Sequence, residues 1–172
     1  MPLRSPDSER REVPAVRRCA VLDTHVTSND PIGSASTGSG ATLAPVPVAT
    51  ARTFLLRLHL IPPDECAEGV GAFQDRDTLI GVAVLGRAEG GGAPALIAVA
   101  PDRRALGVGT DLLHALVDVA AARGTRRLLA TYLASNGAAD ALTSAAGLTA
   151  GRRRGSGEVS VVLFVPLAAE AP

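Results

Sequence analysis

Lysine and tryptophan are absent from this chain, and 172 residues hold one tyrosine, three phenylalanines, one methionine and two cysteines. Cys19 and Cys66 are too few and too far apart for a disulfide framework or a zinc site, so no metal is expected. Aromatic residues make up 2% of the chain, which leaves no platform for stacking nucleic-acid bases. The formal net charge is zero, so no global field draws in nucleic acid or an anionic membrane. No apolar run approaches the ~20 residues of a membrane span, and the first residues lack the continuous apolar segment of a secretory signal. A soluble cytoplasmic protein without nucleic-acid or membrane partners is the expectation. All basic residues are arginine, beside many alanines, glycines and valines; we read this as coding bias and draw no function from it.

What is present centres on Val99 to Leu113, VAPDRRALGVGTDLL. The apolar run Ala95 to Val99 is short and bounded, as a buried strand is. After it, Leu112, Leu113, Leu116, Val117 and Ala120 recur at helical spacing. The turn between carries Arg104, Gly107 and Gly109. A glycine-bearing turn that opens a helix offers unpaired backbone N–H groups at the positive end of the helix dipole, a ready cradle for phosphates. Two phosphate motifs are excluded: the P-loop requires a lysine, and the third glycine of the dinucleotide fingerprint would fall at Leu112.

The pattern V-x-P-x-x-R-x-x-G-x-G at Val99, Pro101, Arg104, Gly107 and Gly109 resembles the coenzyme-A-binding motif of the GNAT N-acetyltransferase superfamily. A second stretch, NGAADALTSAAGL, is similar to that family's N-x-x-A…F-Y-x-x-x-G-F element, with Asn136, Ala139, Gly147 and Leu148 matching. The resemblance covers Leu79 to Leu167 well and the earlier part loosely. It implies a single α/β (α+β) domain with a mixed, mostly antiparallel central sheet flanked by helices and splayed between its fourth and fifth strands. It further implies that the backbone of Ile97, Ala98 and Val99 pairs with the pantetheine arm of acetyl-coenzyme A. Arg104, Ala105, Leu106, Gly107, Val108, Gly109 and Thr110 would hold the pyrophosphate, and Asn136 would lie beside the arm. The activity implied is N-acetyltransfer to a primary amine, on a small molecule or a peptide, by direct attack in a ternary complex.

Taken in order, Met1 to about Gly40 is rich in charges of both signs and then in Ser, Thr, Gly and Pro, and reads as a disordered tail. A folded domain is expected over 41–167, with 168–172 as a short C-terminal tail. TLAPVPV reads as a first edge strand and Thr50 to His59 as a helix, with His59 in its cap region. VGAFQ and TLIGVAVLGR, joined by Asp75 to Asp77, read as a hairpin. One helix between first and second strands is a reduced version of the family's arrangement, which leaves the acceptor side open. The central helix should end at Gly124. On it Asp111, His114 and Asp118 share a face that reads as solvated rather than metal-binding. Arg126 to Ala134 reads as a strand and Asn136 as the N-cap of a short helix. A final hairpin turns at Gly155 to Gly157, with Arg152 and Arg154 on one face and Arg153 on the other, read as a solvated edge, with a grip on an acidic acceptor or a coenzyme phosphate as the alternative.

One departure bears on catalysis. Where active relatives commonly carry a tyrosine that protonates the departing thiolate, this chain has Thr143, a far weaker acid. The single tyrosine, Tyr132, lies on the preceding strand and is the candidate acid, against a packing role. The strand APALIAVA carries no carboxylate, so a base would come from elsewhere; Glu65, Glu68 and Asp75 qualify by chain location only. Three readings stand: an acyltransferase, a non-catalytic coenzyme-A-binding module, and an interaction protein that kept only the fold. The acceptor and the oligomeric state, a homodimer included, are left open.

Overall fold

The computed structural model describes residues 35–36, 38–63 and 65–166. The expected tail, 1–40, falls outside the described residues except at its end, where Ala35 and Ser36 already pair as a strand. Residues 168–172 also lie outside them.

The strands are β1 (Ala35–Ser36), β2 (Thr42–Pro45), β3 (Cys66–Gln74), β4 (Thr78–Gly86), β5 (Gly92–Val99), β6 (Arg127–Leu133), β7 (Thr149–Arg154) and β8 (Glu158–Phe164). The helices are α1 (Val48–Arg57), α2 (Val108–Ala122) and α3 (Gly137–Ala145), with one 3-10 turn at Pro101–Arg103. The strands form one sheet in the order β1-β2-β3-β4-β5-β6-β8-β7. Every neighbouring pair is antiparallel except β5–β6. This is the mixed, mostly antiparallel sheet expected. β2 is not its edge, because β1 pairs outside it.

Helices cover the sheet from both sides. The larger core lies under α2, where Leu112, Leu113, Leu116 and Ala120 meet Ile80, Leu85, Leu128, Val159, Val161 and Leu163. This seam is the helical periodicity read from the sequence, packed against strand residues of alternate parity. The smaller core lies under α1, where Ala51 and Leu55 meet Val82, Val84 and Ala98. Packing on this face leaves no room for a side chain at Gly71, where a Cβ would lie 2.6 Å from Val46 Cγ1, 2.8 Å from Leu79 Cδ1 and 2.9 Å from Phe73 Cε2.

The helix ends follow the sequence closely. α2 stops at Gly124 (φ 69°), whose N–H donates to Ala121 O at 2.9 Å while that of Thr125 donates to Ala120 O at 2.9 Å. This is the double backbone closure that a left-handed C′ residue permits. α1 ends the same way on His59 (φ 57°), so His59 is a cap-region residue as expected, at some cost in backbone strain.

Candidate active site

The site begins where β5 ends. After Val99 the chain makes the 3-10 turn, and Arg104 lays its Nε 3.4 Å from Val99 O. Ala105 then takes φ 61° and Gly107 φ 85°, so two left-handed residues fold the chain onto the first turn of α2. A β-carbon residue in that region is costly and marks a turn shaped for something other than stability alone. The amides of Thr110 and Asp111 return to Gly107 O at 2.9 and 3.1 Å. Among the described residues, the amides of Gly107, Val108 and Gly109 have no acceptor. Three unpaired N–H groups at the start of a 15-residue helix make a site of positive potential for an anion.

The walls of this turn come from distant segments. A Cβ on Gly109 would lie 3.7 Å from Leu142 Cδ2 on α3 and 3.9 Å from Val99 Cγ2 on β5. On the other flank a Cβ on Gly107 would lie 3.6 Å from Ser39 Cβ, and the Ser39 amide donates to Asp111 Oδ2 at 3.2 Å. Ser39 was not legible as part of the site: it sits in a Ser/Thr/Gly run that composition assigns to a tail.

Beside the turn the sheet is open. β5 and β6 are paired only at Gly92, Ala93 and Pro94, opposite Arg127, Leu128 and Leu129. From Ala95 onward β5 keeps only its β4 partner. These are the fourth and fifth strands of the sequence reading, renumbered because β1 precedes them, and the sheet splays between them. Ala100 N donates to Ile80 O at 2.8 Å, and antiparallel alternation then turns the backbone of Ala98 toward β4. The N–H and C=O groups of Ile97 and Val99 face the opening. The strand thus offers an unpaired edge that an extended amide-bearing ligand can extend.

The far wall of the opening is α3. Asn136 caps it, its Oδ1 accepting from Ala139 N at 3.1 Å. Thr143, 5% exposed, is turned inward under the helix. Its Oγ1 lies 2.9 Å from Ala139 O, 3.2 Å from Tyr132 Oη and 3.2 Å from an Arg152 guanidinium nitrogen. Tyr132 donates to Asp140 Oδ1 at 3.0 Å. Arg152 also donates to Asp140 Oδ1 at 2.9 Å and to Ser144 Oγ at 2.9 Å, and Arg154 lies 3.8 Å from the same carboxylate. Arg152 is therefore not part of a solvated edge: it fastens α3 to β7. Tyr132 and Thr143 hold their hydroxyls in this cluster, on the side of α3 where β7 lies. The shared face of Arg152 and Arg154 was the signal in the sequence; Asp140 as their partner was not foreseen.

A sequence model of the Acetyltransferase (GNAT) family matches residues 43–147. This chain belongs to the GNAT acetyltransferase family. Solved structures share the fold. The GNAT domain of S. lividans PAT has a TM-score of 0.60 at 19% identity, covering 77% of this chain and 96% of that one. The ribosomal-protein-S18-alanine N-acetyltransferase from Escherichia coli has a TM-score of 0.57 at 24% identity, covering 76% and 97%. A GNAT superfamily phosphinothricin acetyltransferase from Sinorhizobium meliloti, solved in complex with AcCoA, has a TM-score of 0.55 at 20% identity, covering 74% and 88%. Among curated protein sequences none matches.

Within this GNAT chain the remaining candidates are placed as follows. Glu65 pairs with Arg87 at 3.3 Å and Glu68 pairs with Arg123, which follows the last turn of α2, the end away from Gly107. Asp75 is exposed in the β3–β4 turn at φ 53°. His114 and Asp118 are exposed on α2, and Asp111 is held by Ser39. Among the described residues no group of three His, Cys, Asp or Glu side chains is placed to hold a metal ion. None of the described helices is long and apolar enough to cross a membrane.

Proposed function

We propose that this protein transfers an acetyl group from acetyl-coenzyme A to a primary amine by direct attack in a ternary complex. One observation carries the reading: the unpaired edge of β5 runs directly into the turn with three unpaired amides, so a single ligand with amides at one end and phosphates at the other fits both. The backbone of Ile97 and Val99 would pair with the amide-bearing arm. The amides of Gly107, Val108 and Gly109 would hold the pyrophosphate, with Arg104 and the exposed stretch Ala105–Leu106 beside it and the Thr110 hydroxyl at its edge. Asn136, as the cap of α3, sets the start of the opposite wall. The coenzyme supplies an acyl thioester whose carbon–sulfur bond breaks as the amine's carbon–nitrogen bond forms, one amine proton passing to solvent.

The chain's own contribution is mainly positional. A backbone N–H of β5 near Val99 stabilises the developing oxyanion by preorganised hydrogen bonding. For Tyr132 to act as the acid it would have to exchange Asp140 for the departing thiolate. A second reading, a coenzyme-binding module without turnover, is favoured by the burial of Thr143 and by the engagement of both hydroxyls. Calorimetry with coenzyme A, followed by acetyl-coenzyme A consumption against a panel of amines, tests both. Gly107→Glu or Gly109→Glu should abolish binding in a folded protein; unchanged affinity refutes the site. Binding without turnover on any amine leaves the module.

A further inference from the structure

The opening between β5 and β6 passes through the sheet, and one of its two sides is already filled. α2 and α3 lie on the side of Leu128, Tyr132, Val159, Val161 and Leu163. An acceptor must therefore approach from the other face, and that face has a distinct chemistry. Alternation along β6 and β8 places Arg127, Leu129, Thr131 and Leu133 there, opposite Phe164, Val162, Ser160 and Glu158. Leu129, Leu133 and Phe164 are 43%, 60% and 51% exposed. Leu129 stands where the strands part: it is opposite Pro94, the last paired residue of β5, and a Cβ on Gly92 would lie 3.4 Å from its side chain. The polar groups in the middle are the Thr131 and Ser160 hydroxyls, 3.3 Å apart. The charges are at the margins, with Arg127 at one end, Glu158 at the other, and Arg153 beyond Ser160 on β7.

We infer that the acceptor is a small amine carried on an apolar body, an alkyl- or arylalkyl-amine, seated on the diagonal neighbours Leu129 and Phe164. The inference rests on the acetyltransfer reading above and names the substrate class of that same site. Exposed apolar side chains beside a reaction cleft offer area burial to such a body. The margins carry two arginines against one glutamate, so a polyamine or an arginine-rich peptide meets no net attraction there. The hydroxyl pair gives an amine head group a hydrogen-bonding partner close to where the strands part.

The test measures binding of n-hexylamine, spermidine and a peptide with a free N-terminal alanine to the full chain saturated with coenzyme A, by calorimetry, with coenzyme affinity measured separately. Hexylamine should bind at least tenfold more tightly than the other two. Leu129→Asp should weaken it at least tenfold while coenzyme affinity stays unchanged. Phe164→Asp, at an exposed side chain, serves if the first variant does not fold. Tighter binding of spermidine or of the peptide overturns the inference, as does a lack of hexylamine binding or its indifference to both variants. A dimer that Phe164→Asp dissociates also overturns it, by placing a second copy on the face. Loss of coenzyme binding in the unaltered protein overturns the acetyltransfer reading itself, and the separate coenzyme measurement distinguishes that outcome.

Discussion

Gly107 and Gly109 sit two residues apart in one turn, yet alanine should act on them with opposite sign. Gly107 is the N-cap of α2 at φ 85°, a conformation that costs an L-residue about 1–2 kcal/mol. Alanine also narrows the unfolded ensemble by about 0.4–1 kcal/mol, so the net loss at Gly107 is about 1 kcal/mol. Gly109 is the second residue of the helix and is not left-handed. Its added methyl would meet Leu142 and Val99 at 3.7 and 3.9 Å, ordinary contact distances. There alanine should stabilise by about 0.5–1 kcal/mol, the usual helical advantage over glycine. For a chain of this length each kcal/mol moves the melting temperature by about 2–4 °C. Differential scanning calorimetry should therefore show Gly107→Ala melting below the parent protein and Gly109→Ala above it. The Gly109 methyl enters the space between α3 and β5 that a ligand backbone would share, so coenzyme affinity should fall in the more stable variant. Shifts of the same sign would refute the account of the turn. Unchanged affinity in Gly109→Ala would refute the close approach.

Arg152→Ala and Asp140→Asn should couple by about 1–2 kcal/mol in a double-mutant cycle read by urea denaturation, since their charge-assisted bond is largely shielded by α3 and β7; coupling near zero would mean the pair is solvated after all. Tyr132→Phe should cost about 1 kcal/mol of stability, the worth of one buried hydrogen bond, and leave turnover little changed; a tenfold fall in turnover at unchanged coenzyme affinity would make Tyr132 the acid. Gly71→Ala should destabilise by about 1–3 kcal/mol through overpacking against Val46, Leu79 and Phe73, and an unshifted melt would show that these three side chains yield. Coenzyme A at a hundred times its dissociation constant should stabilise the chain by about 2.7 kcal/mol, visible as a raised melting temperature.

The sequence by itself determined the local structure around the turn. A bounded apolar run, a proline, two glycines and a 3.6-residue apolar period specify strand, turn and helix, because each is a preference of neighbouring residues. Gly124 ending α2 and Asn136 capping α3 were legible for the same reason. The family was legible too, since spacing around Val99, Pro101, Arg104, Gly107 and Gly109 is a one-dimensional signal. What only the tertiary structure decided are the meetings of residues far apart in the chain. Ser39 reaches the turn at Gly107 across 72 positions to Asp111. Arg152 looked solvated because no carboxylate on its own strand could answer it; its partner, Asp140, is on a helix that reaches β7 only after the sheet is assembled. Which amides of β5 face the opening depends on the register with β4, and a shift of one residue would exchange Ile97 for Ala98. The apolar face of β6 and β8 is likewise a tertiary product, because α1 covers β3 and β4 and leaves Leu129, Leu133 and Phe164 to solvent.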